Sequence, residues 1–258
     1  MSMNKHTIAI LYEGEKTERN IFLAIKERFF SRSEFLFIHM PLSQNLYMLW
    51  SKLKEDCFET DMIELARENC PAAKTALENY SRDDFSEIYL FLDLDFHSAK
   101  SNLKKDTNPF DCLLEMIDVF SNETENGKLF ISYPMIESLK CYNDSISCTV
   151  PCFYPFDKGS EFKKDMGSRG NQNKLIKYSP EDWKKLFYFS ISKANCLISG
   201  EYSLTSYQDF QTKLTQKSIF DAECKKHIPF GRVALISGIP LFLLEYFQES
   251  FYQQQTQR

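Results

Sequence analysis

Glycine is scarce in this chain, at 8 of 258 residues, and there are only 2 tryptophans and 4 histidines. So little glycine excludes collagen-like, low-complexity and glycine-rich-loop architectures. No G-x-x-x-x-G-K-[ST] occurs, so the chain has no recognisable phosphate-binding P-loop. Eight cysteines are present but no C-x-x-C. Cys148 and Cys152 are the closest pair, and with so few histidines a zinc site is not expected. Long hydrophobic runs are missing too. The longest, Val233 to Leu244, contains Gly238 and Pro240, whereas a spanning helix needs about 20 apolar residues. Ile8 to Tyr12 is too short for a signal-peptide core. The expectation is a cytoplasmic protein with reduced thiols and no membrane association.

What is there is a globular composition, 43% hydrophobic and 26% charged, enough for a large core. The net charge of −5 disfavours a protein that coats nucleic acid through overall charge, yet leaves room for local phosphate-binding patches. Lys158 to Lys177 is the most basic stretch. It sets Lys158, Lys163, Lys164, Arg169, Lys174 and Lys177 against Glu161 and Asp165, around a segment from Gly167 to Asn171 expected to be flexible.

Strands and helices alternate over the first 140 residues. The spacing predicts strands at His6–Tyr12, Phe35–Met40, Glu87–Leu92 and Lys128–Tyr133. Between them it predicts a helix opened by Thr17 as N-cap and helices around Asn45–Leu53 and Met62–Cys70. Another runs from Pro71 to about Tyr80, and a last one starts at Asn108-Pro109. Apolar strands alternating with helices indicate a parallel sheet covered by helices on both faces, an α/β fold. Beyond about residue 141 the pattern predicts helices at Pro180–Ala194, Ser206–Cys224 and Leu241–Phe251, with a short strand at Arg232–Ile236. The expected organisation is an α/β domain over residues 1–145 and a mainly helical region over 146–258.

In open parallel sheets, ligands bind beyond the carboxyl ends of the strands. Three of the expected strands end in acids: Glu13-Gly14 after the first, Asp93-Leu94-Asp95 after the third, and Glu137 shortly after the fourth. Like charges crowded at one sheet edge repel, and a hard divalent cation such as Mg²⁺ or Mn²⁺ relieves that repulsion through all-oxygen ligation. Asp93 and Asp95 are two residues apart, so in a regular strand they face the same side. Gly14 allows a tight turn beside Glu13. Lys140, one turn after Glu137, is placed to approach a phosphate as a compensating cation, and His97 is a candidate proton shuttle. Taken singly, each acid also fits a solvated loop or a helix cap.

The run Ile8-Ala9-Ile10-Leu11-Tyr12-Glu13-Gly14-Glu15-Lys16-Thr17-Glu18, with Asp93-Leu94-Asp95 after a hydrophobic strand, resembles the Toprim domain. It is similar in particular to the RloB-like and OLD-like (overcoming lysogenization defect) Toprim proteins of bacterial anti-phage defence. The resemblance covers roughly residues 6–140. It implies a Toprim-like, Rossmannoid fold and Mg²⁺- or Mn²⁺-dependent phosphodiester cleavage of nucleic acid, either RNA such as tRNA or DNA. It further implies Glu13 at the catalytic glutamate position, Asp93 and Asp95 as the metal pair, Glu18 as the second glutamate of the opening motif, and Glu137 as the acid after the fourth strand. OLD-like proteins place the second glutamate four residues after the first, whereas here the interval is five. The resemblance to the Toprim effector of PARIS-type (phage anti-restriction-induced system) pairs implies a separate ABC-type ATPase as partner, and a homodimer would help to hold the substrate.

Two rival readings use the same residues. A Toprim-like module without catalysis would use the acids for a structural ion or for helix caps. A Rossmann-type nucleotide enzyme is disfavoured, because a single glycine and an acidic cluster at the first turn would repel a pyrophosphate. Phe153, Tyr154 and Phe156 offer rings for base stacking. With 23 Phe and 13 Tyr in the chain, however, most rings must belong to the core.

Overall fold

The computed structural model describes residues 6–14, 16–30, 35–41, 46–94, 108–141, 153–155, 159–168 and 175–256. The chain divides into two compact units, the first holding residues 1–92 and 96–129 and the second 93–95 and 130–258. The sequence boundary at residue 145 falls outside the described residues.

The first unit is built on β1 (His6–Tyr12), α1 (Thr17–Phe29), β2 (Phe35–Pro41), α2 (Leu46–Glu55), α3 (Met62–Asn69), α4 (Pro71–Ala76), β3 (Glu87–Asp93, its last residue counted with the second unit), α5 (Pro109–Val119), β4 (Ser121–Asn122) and the first half of β5 (Gly127–Ser132), whose residues from Phe130 on belong to the second unit. The sheet order is β2-β1-β3-β5-β4, and β1 runs parallel to both β2 and β3. Ile8 to Tyr12 are fully buried, which explains why this strand reads as an unbroken apolar run rather than an alternation. Phe22 of α1 stacks on Tyr12 at 4.9 Å and meets Phe91 edge-on at 4.7 Å, so one ring fixes the helix across two strands. Such pairs contribute about 0.5–1.5 kcal/mol each beyond their burial. Asp61 caps α3 by accepting from Ile63 N and Glu64 N, and Asn108 caps α5 by accepting from Phe110 N.

The sheet corrects the all-parallel expectation. Strand β4 pairs antiparallel with β5 through a tight turn, too short to leave a periodic signal. Thr17 is the first helical residue of α1 and not its cap; Lys16 holds the cap position without a side-chain hydrogen bond. Helix α4 stops at Ala76 rather than near Tyr80, and the Arg67 guanidinium binds the carbonyls of Leu77 and Tyr80 beyond its end.

The second unit contains β6 (Phe153–Pro155), α6 (Gly159–Ser168), α7 (Pro180–Ser199), α8 (Tyr207–Lys213), α9 (Gln216–Lys226), β7 (Arg232–Ala234), α10 (Gly238–Tyr246) and α11 (Gln248–Thr256). Strands β6 and β7 form an antiparallel ribbon. The start of α10 seats on β5, where Gly238 N donates to Ser132 Oγ and a Cβ on Gly238 would lie 3.0 Å from Ile131 O. The expected helix Ser206–Cys224 is two helices, because Thr215 caps a new start by accepting from Ser218 N. Leu241–Phe251 likewise breaks at Gln248, whose φ is 61°. Gly167 and Ser168, expected in a flexible segment, close α6. That helix forms because Phe162 and Met166, one turn apart, bury against Met135, Cys141 and Leu235. Among the described residues no disulfide joins Cys57, Cys70, Cys112, Cys141, Cys196 or Cys224 to another of them. Among the described residues no helix is long and apolar enough to cross a membrane.

Candidate functional site

The acidic residues fall into two groups, one in each unit. In the first unit, Tyr12 at the end of β1 lies opposite Phe91 of β3, so both strands finish at the same edge of the sheet. Glu13 follows at once. Its Oε1 accepts the backbone N–H of Leu46 at 2.8 Å, the first residue of α2. A carboxylate at a helix N-terminus meets unsatisfied N–H groups and the positive end of the helix dipole. Glu13 is thereby oriented by a helix 33 positions away, a contact with no local signature.

Glu18, the second residue of α1, folds its buried side chain over the same turn. A Cβ added to Gly14 would fall on the Glu18 carboxylate. The absence of a side chain at Gly14 thus leaves room for the Glu18 carboxylate. Glu13 and Glu18 share one turn, with Gly14 between them providing the space.

In the second unit, β3 ends at Asp93 and the next residue, Leu94, donates its N–H to Ser132 O at the end of β5. Asp93 Oδ1 accepts the N–H of Ile136 at 2.8 Å. Ile136 opens a 3₁₀ turn, Ile136–Cys141, which carries Glu137 and Lys140. Glu137 is only 4% exposed, and its Oε2 is buried with no hydrogen-bond partner among the described residues. Lys140 is half-buried. Asp95 and His97 lie outside the described residues.

A buried carboxylate oxygen left unsatisfied costs about 1–3 kcal/mol or more, since it has lost its water and gained nothing in return. A cation removes that cost. The donors here are all hard oxygens, which fit Mg²⁺ or Mn²⁺ and not a softer metal. Among the described residues no group of three His, Cys, Asp or Glu side chains converges as a metal cage. Magnesium sites commonly use one or two carboxylates, completed by waters and substrate phosphates. The residues present are thus compatible with such an ion, with Glu137 the most direct candidate ligand.

A buried ionisable pair has no counterpart among the residues singled out from the sequence. Lys193 of α7 and Glu223 of α9 are both almost fully buried. Both Glu223 carboxylate oxygens accept from Ala234 N, at 2.9 and 3.1 Å, which ties α9 to β7. Burial pushes the Glu223 carboxyl up to about 8, opposed by that N–H and by the Lys193 charge. Burial likewise pulls the Lys193 ammonium down to about 8. A signal was present: Lys193 falls on the stripe formed by Trp183, Leu186, Ser190 and Leu197, where a charged residue must be buried.

Comparison with protein-family models, with curated proteins and with solved structures gives no match to this chain.

Proposed function

We propose that the chain is a metal-dependent nuclease of the Toprim type, cleaving phosphodiester bonds in RNA such as tRNA or in DNA. The observation that carries this reading is Glu137, a buried carboxylate with an unpartnered oxygen in the turn whose first N–H is held by Asp93. A group so costly to bury is usual at sites that bind a cation or perform chemistry.

In this reading Asp93, Asp95 and Glu137 are the ligands of Mg²⁺ or Mn²⁺, with Asp95 assigned by the resemblance alone. When bound, the ion supplies Lewis-acid polarisation of the scissile phosphate. Glu13, oriented by the Leu46 N–H, moves the proton of the attacking or leaving oxygen. Glu18 either joins the ligands or supports Glu13 across Gly14. Lys140 offsets negative charge on the phosphate. The wider proposal is an anti-phage effector acting as a homodimer under the control of a separate ABC-type ATPase.

The test is cleavage of labelled tRNA and plasmid DNA by the purified chain with Mg²⁺, Mn²⁺ or EDTA, beside Glu13→Gln and Asp93→Asn. Metal-dependent cutting that both substitutions abolish supports the reading. The alternative is a non-catalytic Toprim-like module, favoured by the use of Glu13 as an acceptor at the start of α2. Cutting that survives Glu13→Gln removes Glu13 from the mechanism. No cutting of either substrate, with or without a neighbouring ATPase, selects the module.

A further inference from the structure

The β6–β7 ribbon of the second unit displays an arrangement that the proposed chemistry does not use. The Arg232 guanidinium lies over the Phe153 ring, 3.9 Å from its centroid, and 5.5 Å from that of Phe230. Phe230 is 72% exposed and Phe153 40% exposed, the first being the most exposed large apolar side chain among the described residues. Phe230 ends the short 3₁₀ turn Ile228–Phe230, and Gly231 follows with φ at 69°. That left-handed residue turns the chain sharply into β7 and leaves the ring facing outward. The His227 ring packs beside Phe153 at 5.9 Å.

A single exposed phenylalanine needs no explanation. Here two flank a cation. Arg232 forms no salt bridge among the described residues, and its Nε is buried without a hydrogen-bond partner. His227 Nδ1 is also buried without one. Burial, then the charges of Arg232, Lys193 and Lys226, hold the imidazole below its ordinary range. Lys225 and Lys226 are exposed on the preceding turn of α9. The face therefore combines open aromatic surface, a guanidinium with no ion pair among the described residues, and two exposed lysines on the preceding helical turn. An apolar protein surface would bury the guanidinium with no acceptor, at a cost. A phosphodiester strand offers both a phosphate for the guanidinium and a base for the ring.

We infer that the Phe153–Arg232–Phe230 face binds a single nucleic-acid strand, with a base stacked on Phe230 and a backbone phosphate on Arg232. This rests on the nuclease reading and adds where the strand is held. Of the described rings singled out in the sequence, Phe153 belongs to this face. Tyr154 instead packs edge-on against Phe162 at 4.9 Å, and Phe156 lies outside the described residues.

The test is fluorescence anisotropy of labelled single-stranded oligo(U) and oligo(dT) with the full chain, in EDTA so that no cleavage intervenes, over a range of salt. Phe230→Ala, at so exposed a position, retains the fold and is expected to weaken binding about tenfold. Arg232→Gln is expected to flatten the salt dependence by about 0.7 in log K against log salt, the loss of one phosphate contact on a single strand. Arg232→Lys keeps that slope, and Leu23→Ala, an exposed apolar residue of the first unit, binds as the wild type does. Equal binding by wild type, Phe230→Ala and Arg232→Gln overturns the proposal, as does wild type that binds neither oligonucleotide. Phe230→Ala that loses a protein partner while binding oligonucleotide normally also overturns it, in favour of a protein-docking face. Cleavage separates the two readings. Phe230-dependent binding without any metal-dependent cutting defeats the nuclease reading alone, whereas cutting by a chain whose Phe230 and Arg232 variants bind normally defeats this one alone.

Discussion

Asp93 Oδ1 accepts the backbone N–H of Ile136, so the last residue of β3 holds the residue immediately before Glu137. Asp93 therefore has a structural task beside its proposed chemical one, and two substitutions separate them. Asp93→Asn keeps a side-chain oxygen for the Ile136 N–H, and its urea midpoint is expected to stay close to that of the wild type. Asp93→Ala orphans a part-buried donor and is expected to cost about 1–3 kcal/mol. Cleavage should fall at least about a hundredfold in both. An Asp93→Asn protein that is stable and fully active would remove Asp93 from the chemistry.

The unpartnered Glu137 oxygen leads to a prediction that needs no substrate. If this carboxylate binds an ion, Mn²⁺ raises the melting temperature of the wild type. Saturation at a hundred times Kd corresponds to about 2.7 kcal/mol. Glu137→Gln should lose most of that rise. In EDTA, Glu137→Leu should be at least as stable as the wild type, because it removes an unsatisfied polar group from a buried place. Calorimetry with and without Mn²⁺ checks both. A large loss of stability for Glu137→Leu in EDTA would mean that the carboxylate has a structural partner, and the ligand role would fail.

Much of the first unit was legible in the sequence because its signals are local. The apolar run of β1, the Asn108-Pro109 start of α5 and the acids after the strands each lie within a few residues of what they specify. Contacts across long intervals were not legible. Nothing at Glu13 announces Leu46, and nothing at Asp93 announces the N–H of Ile136. The second unit was read less well for the same reason. Helix α6 reads in the sequence only as part of a basic stretch, because Phe162 and Met166 alone mark its apolar side and their partners Met135, Cys141 and Leu235 come from elsewhere in the chain. The Arg232 stack on Phe153 joins two strands separated by about eighty positions and left no pattern in either.

Gly14 is the position where a single methyl group should separate folding from function. A Cβ there collides with the Glu18 carboxylate, the mobile end of a side chain and not the backbone. Gly14→Ala is therefore expected to shift the melting temperature by only a few degrees while moving Glu18 from its place beside Glu13. Cleavage should drop at least about tenfold if that placement matters. The double variant Gly14→Ala with Glu18→Ala removes the collision, so its stability should return toward that of Glu18→Ala. Wild-type cleavage by Gly14→Ala would show that Glu18 has no part in the reaction.

The buried pair Lys193 and Glu223 gives the second unit a dependence on pH whose sign can be worked out. Glu223 keeps its proton up to about pH 8 in the folded chain, against an ordinary value of 4.5. Between those values the folded state holds the extra proton, so the stability it contributes is greatest at low pH and is lost as pH rises toward 8. Lys193 is depressed from 10.5 to about 8, so its contribution is present above 10.5 and is lost as pH falls toward 8. Together they place a minimum of stability near pH 8, with slopes of at most about 1.4 kcal/mol per pH unit for one proton. Urea midpoints from pH 5 to 10 check this. Glu223→Gln should flatten the acid limb and Lys193→Met the alkaline limb. The thiols of Cys141 and Cys196 also act on Lys193, so Cys141→Ala should move the alkaline limb slightly and leave the acid limb in place. Parallel curves for wild type and Glu223→Gln would mean that Glu223 is ionised in the folded chain and that the pair acts as a buried salt bridge.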